Sequence, residues 1–168
     1  MEKSTNAASV AMYFIFEHAP GSRVQYTDRD GVRKPVHMGT YGFGIQRCMQ
    51  TIVEQHRDRD GIAWPASVRP FDHAIIPLDP DDENQAVITT AIYDRLMRRG
   101  MKPLLDDRAN KTLQERAAYA DFIGVNTKLV LGQQELRNDQ ILVKRRGEKR
   151  GIPVALSGLE RVLADMHQ

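Results

Sequence analysis

The sequence predicts an α/β protein: a compact sheet, mainly parallel or mixed, is flanked by helices and preceded by a partial antiparallel β-plus-helix piece. Three observations lead to this fold class. Short apolar runs alternate with helix-length segments in residues 71–168, as in right-handed βαβ units. Before them, two extended runs flank an Asp-Gly turn and precede one amphipathic helix. The 168 residues are 41% hydrophobic and 27% charged, which suits a folded domain with a polar surface.

The first piece begins with extended segments at residues 26–27 and 35–41, which the sequence DRDGVRK joins as a hairpin turn. From Ile45 onward, apolar residues recur at i, i+4, i+7 and i+8, which predicts an amphipathic helix to about residue 55. Two strands and one helix can hardly bury both faces of a sheet. We therefore expect this piece to pack on a partner or on the second domain.

An apolar run at residues 10–16 precedes these strands. It is too short to span a bilayer, and it lacks the charge layout and cleavage site of a signal peptide. The sequence therefore predicts a soluble, cytoplasmic protein without a membrane partner.

The second piece contains most of the regular structure. Thr112 is a plausible N-cap, and Gly100 and Gly124 are placed to end two helices. The segment between Pro65 and Pro70 is predicted to be a loop, so we expect two domains, residues 1–70 and 71–168. The predicted elements are strand 73–79, helix 81–100, strand 102–107, helix 112–124, strands 127–132 and 139–146, and helix 156–166.

Charge is unevenly distributed along a chain whose net charge is only +2. The sequence VKRRGEKR at residues 143–150 forms a local cationic cluster. Such a cluster is either a solvated turn or a surface for phosphate groups. Bulk charge alone predicts no nucleic-acid partner, and we expect none made of DNA.

Residues that bind metals or form disulfides give no positive signal. The five histidines lack metal-ligand spacing, so we predict no metal site. The single cysteine, Cys48, excludes an internal disulfide and a cysteine-based zinc cluster. Asp106 and Asp107 fit a turn at a strand end better than an acid–base pair. Trp64 fits a packing anchor better than a base-stacking group.

The sequence MGTYGFGIQR, residues 38–47, has glycines where a flat object could lie against the backbone. Arg47 follows at the start of the predicted helix, and a guanidinium can stack on a purine or pair with phosphate oxygens. The segment is neither a Walker loop nor a Rossmann fingerprint. Packing alone also explains glycines at such a strand-to-helix junction, so both interpretations stay open at this point.

This segment and the residues after it resemble motif 3 and the domain junction of bacterial-type prolyl-tRNA synthetases, which are class II enzymes. The likeness continues through LLDDR (104–108), ADFIGV (120–125), LVLGQQE (129–135) and VKRRG (143–147), which resemble the anticodon-binding domain of the prolyl, threonyl, histidyl and glycyl enzymes. The matching residues of the first part are Tyr41, Gly42, Gly44, Arg47, Glu54, Gln55, Asp58, Gly61, Ile62, Trp64 and Pro65.

The resemblance implies a nucleotide site in the first piece. Arg47 would be the motif 3 arginine that contacts ATP and acts in catalysis, and Gly42 and Gly44 would line the floor beneath the nucleotide. ATP and Mg²⁺ are the cofactors of the full-length family enzyme, and we expect neither to bind this chain tightly.

The resemblance also implies an RNA site in the second piece, where the anticodon loop of tRNA(Pro) would bind. Unpaired bases are read on their edges, and basic side chains hold phosphates. Glu135 and Lys144 would contact base edges. Nearby support or phosphate contacts would come from Asp107, Arg108, Arg145 and Arg146.

The departures from the family pattern limit the activity that we predict. Motif 1, motif 2 and the proline pocket do not fit before the match begins, and Thr40 replaces the usual cysteine. We expect a C-terminal portion that is not competent for catalysis alone and that pairs with the rest of a catalytic domain. A free-standing tRNA-binding module and a non-catalytic interaction protein are the alternatives. Whether the chain is itself an enzyme, its cognate amino acid and a homodimeric state are left open.

Overall fold

The structure, a computed structural model, describes residues 11–16, 25–36 and 38–166. The chain divides into two compact units, Met1–Glu54 and Gln55–Gln168. This division lies upstream of the domain boundary that we predicted near Pro70, and that boundary stays a prediction.

Within residues 11–16, 25–36 and 38–54, the described part of the first unit, the strands form two antiparallel pairs. The strands β2 (Gln25–Thr27) and β3 (Arg33–Pro35) form a hairpin, and Gly31 in its turn has a φ of +78°. The pairing of β2 with β3 confirms the predicted hairpin. Its turn has a glycine because glycine adopts a positive φ without strain. The second predicted strand, however, is two strands in different sheets.

The other pair of the first unit joins distant residues. Strand β1 (Ala11–Phe16) pairs antiparallel with β4 (Met38–Phe43), and Tyr13 lies opposite Tyr41. The apolar run that forms β1 was not predicted to be a strand, because the pattern within one segment cannot reveal a distant partner. Helix α1 follows β4 at Ile45–His56, one residue longer than predicted.

The second unit contains a five-stranded mixed sheet in the order β6-β5-β7-β8-β9. Strand β5 pairs parallel with β6 and β7, while β8 pairs antiparallel with β7 and β9. A 3₁₀ turn (Leu156–Gly158) leads into the last helix. The elements are β5 (His73–Pro77), α2 (Glu83–Arg98), β6 (Pro103–Leu105), α3 (Leu113–Phe122), β7 (Thr127–Leu131), α4 (Gln133–Arg137), β8 (Gln140–Arg145), β9 (Ile152–Ala155) and α5 (Leu159–Met166).

Apolar side chains cover both faces of the central strands. Every residue of β5 and β7 is buried, as expected for strands covered by helices on both sides. On one face Ile75 and Leu129 pack with residues of α2 and α5, including Leu96 and Leu163. The opposite face forms a second cluster around Val130 that includes the α3 residue Ala120. This confirms the predicted α/β class.

The helix ends follow local sequence signals. Thr112 and Glu115 form a capping box, in which the Thr112 side chain accepts from the Glu115 N–H and the Glu115 carboxylate accepts from the Thr112 N–H. Gly100 and Gly124 follow α2 and α3 with φ values of +75° and +85°. These three predictions are confirmed.

Two elements of the second unit were missed. Helix α4 has only five residues and no apolar period that would reveal it. Strand β9 contains Pro153, which argues against a central strand but is tolerated in a strand at the edge of a sheet. The presence of β8 and β9 makes half of the neighbouring strand pairs antiparallel, so the sheet is mixed rather than mainly parallel.

Candidate nucleic-acid interface

The strand-to-helix junction of the first unit is open above Gly42. A Cβ added to Gly42 would meet nothing within 4 Å. Gly44 begins α1, because its carbonyl accepts the Cys48 N–H at 2.9 Å. Arg47 lies exposed in the first turn of the helix. A bare backbone with an exposed guanidinium one helical turn further on fits a nucleotide, which presents a planar base and phosphate oxygens.

The predicted RNA-contacting residues of the second unit lie at the two opposite ends of the strands. We call the side where β5, β6 and β7 end the carboxyl edge of the sheet. Asp107, Arg108 and Glu135 follow the carboxyl ends of β6 and β7. Arg145 lies opposite Thr127, the first residue of β7, and so belongs to the other edge. The length of β7 separates the two groups by roughly 13 Å. The structure therefore does not bring all the predicted residues into one cluster.

At the carboxyl edge, Asp106 organises the neighbourhood of Arg108. The Arg108 Nε and Nη2 donate to the two carboxylate oxygens of Asp106 at 2.8 and 2.7 Å. The same guanidinium lies 4.5 Å above the centroid of the Tyr119 ring. Burial raises the pKa of Asp106, but hydrogen bonds from Arg108 outweigh it and leave the pKa below its usual value. Asp107 is exposed, so the predicted turn fits better than an acid–base pair.

Arg116 fixes the backbone beneath this edge. It is 1% exposed, and its Nη1 donates to the carbonyls of Pro77 at 2.7 Å and Asp106 at 3.2 Å. Its Nη2 donates to the Leu78 carbonyl at 3.1 Å. A buried guanidinium with these acceptors connects the ends of β5 and β6, and it supports the loops that carry the predicted residues.

Glu135 lies above the end of β7. Its carboxylate would lie 2.9 Å from a Cβ added to Gly132, and Leu78 would be closer still at 2.3 Å. A larger residue at position 132 would therefore require the Leu78 and Glu135 side chains to move. Gln133 next to it donates to Asp82, the N-cap of α2, at 3.3 Å. The loops after β5 and β7 are thus held together around Glu135.

Lys144 lies on the sheet face that α3 partly covers. Leu142 joins the α3-side cluster, and residues two apart in a strand share a face. Lys144 is opposite Lys128 of β7 in the strand register. Lys128 is 2% exposed, and its ammonium pairs with the carboxylate of Asp121 in α3. Lys144 thus extends a polar cluster at the margin of α3.

Pro153 and Ala155 of β9 are exposed beside this margin. They lie opposite Leu142 and Gln140 in the register, so they share the α3-side face of the sheet. We call this surface the β8–β9 face: Gln140, Leu142, Lys144, Pro153 and Ala155. Pro153 and Ala155 are exposed on it, whereas Gln140, Leu142 and Lys144 are half-buried, and Leu142 packs against the α3-side cluster.

The cationic cluster forms the end of β8 and the turn into β9. Lys149 and Arg150 are exposed, and Arg145 is half-buried with its backbone N–H donating to Glu148 at 3.4 Å. Arg146 differs, because it forms a two-pronged ion pair with Asp58 at 2.7 and 2.9 Å. The prediction that Arg146 contacts RNA stays a prediction, and its observed contacts are within the protein.

Residues 57–65 pack on the end of α3. The Trp64 indole donates to the Ile123 carbonyl at 2.8 Å, and the Ile62 N–H donates to the Phe122 carbonyl at 3.2 Å. A Cβ on Gly61 or Gly124 would lie 2.4 Å from the backbone of the opposing segment. Trp64 is therefore a packing anchor, as predicted.

Sequence reasoning missed the roles of Asp121 and Lys128, and it gave Asp58 no role beyond its match to the family pattern. A lysine inside the apolar run TKLVLG was the available signal for Lys128, because lysine is rarely fully buried unless it is paired. The Asp58–Arg146 pair joins residues 88 positions apart, and no local pattern reveals such a pair.

Two features are absent from the described residues 11–16, 25–36 and 38–166. No helix there is long and apolar enough to cross a membrane. In the same ranges, no three side chains of His, Cys, Asp or Glu are grouped so that they could hold a metal ion.

The mixed sheet, its partly uncovered face and the cationic turn define a small α/β domain with a polar recognition surface. Residues 72–166 match the family described as "Anticodon binding domain". This match covers more than half of the 168 residues, and the chain belongs to the anticodon-binding domain family.

Relatives and a solved structure extend the match. The proline–tRNA ligase of Pelotomaculum thermopropionicum is 36% identical over 145 residues, which are 84% of this chain and 25% of that protein. The proline–tRNA ligase of Thermodesulfovibrio yellowstonii is 38% identical over 131 residues, which are 74% of this chain and 23% of that protein. These matches confirm the predicted resemblance to a portion of prolyl-tRNA synthetases.

A crystal structure of prolyl-tRNA synthetase from Cryptosporidium parvum, complexed with L-proline and AMP, is similar to 85% of this chain. The match covers 30% of that chain, with a TM-score of 0.66 and 22% identity, and it shows the fold alone. The chain thus spans about a quarter of the length of the curated relatives described above.

Proposed function

We propose that this chain binds the anticodon loop of tRNA(Pro) and is part of a prolyl-tRNA synthetase. The observation that carries the proposal is the β8–β9 face, on which Pro153 and Ala155 are exposed and the half-buried Lys144 lies at the end next to the cationic turn. Unpaired bases can lie against such a face while their edges meet polar groups. Family membership of residues 72–166 supports the same interpretation.

The geometry supports two kinds of contact with RNA. Lys144 and Glu135 would read base edges, one from the sheet face and one from the carboxyl edge. Arg145 together with the exposed Lys149 and Arg150 would bind phosphates. Arg108, whose guanidinium is bonded to Asp106, would support the carboxyl edge. The exposed Asp107, next to Arg108 in the chain, would give nearby support. An unpaired loop of several bases is large enough to span both edges of the sheet.

The first unit would contribute motif 3 to ATP-dependent attachment of proline to tRNA. Gly42 leaves the space and Arg47 supplies the cation for the nucleotide, with Mg²⁺ carried by the nucleotide in the whole enzyme. Tyr41 and Ile45 are 80% and 76% exposed, which supports packing against the remainder of a catalytic domain. We propose that this remainder is needed for activity, that the assembly acts in the cytoplasm, and that a homodimer is its arrangement.

The test of RNA recognition is fluorescence anisotropy with a proline anticodon stem-loop and a shuffled-anticodon control at two salt concentrations. We expect the proline stem-loop to bind at least tenfold more tightly than the control. Binding of both RNAs should weaken steeply with salt, because phosphate contacts release counterions. Equal affinity for both RNAs would refute anticodon recognition by this chain.

Single substitutions separate the two kinds of contact. Glu135→Ala should reduce the preference for the proline anticodon by roughly 5- to 150-fold, the range that about 1–3 kcal/mol per base-edge contact gives. Lys149→Ala should instead weaken both RNAs alike and lower the salt slope by about one. Glu135→Ala removes an anion, so it should not weaken binding of the shuffled control.

Of the alternatives, a free-standing tRNA-binding module predicts the same RNA data, whereas a non-catalytic interaction protein requires no preference for an anticodon. Neither alternative has a use for Arg47. The exposed Arg47 in the first turn of α1, together with the open space at Gly42, supports the synthetase interpretation. The chain alone should show no proline-dependent exchange of pyrophosphate with ATP. Exchange should appear when a catalytic domain with motifs 1 and 2 is supplied, and Arg47→Ala should abolish it. Exchange that is unaffected by Arg47→Ala would refute the proposed role of motif 3.

A further inference from the structure

Arg146 is the residue of the cationic turn that forms a two-pronged ion pair, and its partner is Asp58. Arg146 Nη1 donates to Asp58 Oδ2 at 2.7 Å, and Nη2 donates to Oδ1 at 2.9 Å. The Arg146 side chain is 11% exposed, although it belongs to the most cationic stretch of the chain. A two-pronged pair of this kind fixes the guanidinium in orientation as well as in position.

Both partners are fixed by further bonds. The Asp58 carboxylate also accepts the N–H groups of Asp60 at 2.8 Å and Gly61 at 3.0 Å. Arg146 Nη2 also donates to the carbonyl of Asp121 at 3.1 Å, and its backbone N–H donates to the carbonyl of Asn126 at 2.7 Å. Arg146 therefore joins the turn at residues 58–61, the end of α3 and the end of β8.

This connection reaches the proposed base-reading residues. The Asp121 backbone is held by Arg146, and the Asp121 carboxylate pairs with the ammonium of Lys128. Lys128 is directly opposite Lys144 in the sheet, where like charges repel unless one of them is neutralised. Asp121 supplies that neutralising charge, and its backbone carbonyl accepts from Arg146 Nη2.

We propose that Arg146 is a positioning residue for anticodon reading, fixed by Asp58, and that it does not bind RNA phosphates itself. The pair holds the end of α3 against the sheet, so that Asp121 keeps Lys128 paired and Lys144 free to reach a base. This proposal rests on the proposed function of the β8–β9 face and extends it to residues 58–61.

Direct phosphate binding by Arg146 would give opposite results. In that case Asp58→Asn would release the guanidinium and strengthen binding of every RNA. Arg146→Lys would keep the charge and hence most of the affinity. A positioning role needs the planar fork, which lysine lacks, so Arg146→Lys should behave like Arg146→Ala.

The experiment measures the ratio of affinities for the proline and shuffled stem-loops, and the salt slope, for Asp58→Asn, Arg146→Lys and the double variant. In each single variant we expect the ratio of the two affinities to fall by about tenfold, while the salt slope stays unchanged. The double variant should lose no more than either single one, since both remove the same pair. Asp60→Asn is the matched control: it removes the same charge in the same turn, where Asp60 lies against Arg59. It should keep the ratio.

The outcomes distinguish this proposal from the proposed function. If the unmutated chain does not discriminate between the stem-loops, the proposed function itself fails. If it discriminates and Asp58→Asn keeps the ratio or tightens binding of both RNAs, the positioning role is refuted. Thermal melts of each variant identify any loss of folding. Arg146→Lys with full affinity and ratio would refute the proposal even if Asp58→Asn fails to fold.

Discussion

The two units differ in how far their apolar residues are buried. In the unit Gln55–Gln168, Ile75 and Leu129 are inaccessible to solvent. In the unit Met1–Glu54, Phe43 and Met49 are 64% and 54% exposed. Helix α1 is fully described, and none of its residues is buried. Each helix of the second unit with eight or more residues buries at least two.

The difference shows what each unit needs in order to be stable. The second unit covers both faces of its sheet with its own helices, so its apolar surface is already removed from water. The described residues of the first unit form two two-stranded sheets and one helix, and two-stranded sheets are marginal on their own. Its apolar side chains contribute stability only when another surface covers them.

The largest expected effect compares a core residue of the second unit with an apolar residue of the first. Leu129→Ala leaves a cavity among residues of α2 and α5 and should lower the free energy of unfolding by about 4 kcal/mol. Met49→Ala should change it by less than about 0.5 kcal/mol, because the side chain is half exposed. Urea unfolding of both variants measures the two values.

A large cost for Met49→Ala would break the comparison, since it would mean that the helix face is covered in the free chain. Sedimentation of the unmutated protein would then show whether a second copy covers it. If Leu129→Ala costs less than about 1 kcal/mol, the second unit does not have the tightly packed core described above.

A buried cation gives the next largest effect. Arg116→Met keeps the apolar stem but leaves the Pro77 and Asp106 carbonyls without their donor, at an expected cost of about 3 kcal/mol. Arg98, at the exposed end of α2, is the control, and Arg98→Met should be neutral within about 0.5 kcal/mol. Equal costs for the two variants would contradict the role of Arg116 in joining the ends of β5 and β6.

The sequence predicted the features that depend on neighbouring residues. The capping box at Thr112 and the glycine after α3 follow from a few adjacent positions, and the apolar strands β5 and β7 follow from short runs. Contacts between distant positions were not predictable in this way. The Asp58–Arg146 pair depends on how residues 57–65 pack on α3, and the opposition of Lys128 and Lys144 depends on the register of β7 and β8.

Two glycines at helix ends test whether residues 57–65 belong to the second unit. Gly124 and Gly100 both have positive φ, but only a Cβ on Gly124 would strike Ile62 and Trp64, at 2.4 Å. Gly100→Ala should cost about 1 kcal/mol from backbone strain alone. Gly124→Ala should cost about 2 kcal/mol, because it also displaces residues 57–65.

Thermal melts compare these two variants, and the quenching of Trp64 fluorescence by acrylamide reports whether that segment has been released. Equal costs with an unchanged Trp64 signal would mean that residues 57–65 are not part of the second unit. The predicted boundary near Pro70 would then be the better description.

The smallest expected effect concerns the start of α3, the helix that carries Arg116 and Asp121. Thr112→Ala should cost about 1 kcal/mol, whereas Thr90→Ala on the exposed face of α2 should be neutral within about 0.5 kcal/mol.

The backbone N–H of Thr112, with Lys111 and the Thr112 hydroxyl, lowers the pKa of Glu115 from 4.5 to about 2. A lowered carboxyl pKa gives stability that is present above pH 4.5 and is lost as the pH falls toward 2. Glu115→Gln should therefore flatten the dependence of stability on pH in that window, and thermal melts between pH 2 and 6 measure the slope. If the unmutated protein and Glu115→Gln lose stability in parallel over this range, the Glu115 carboxylate does not stabilise the start of α3.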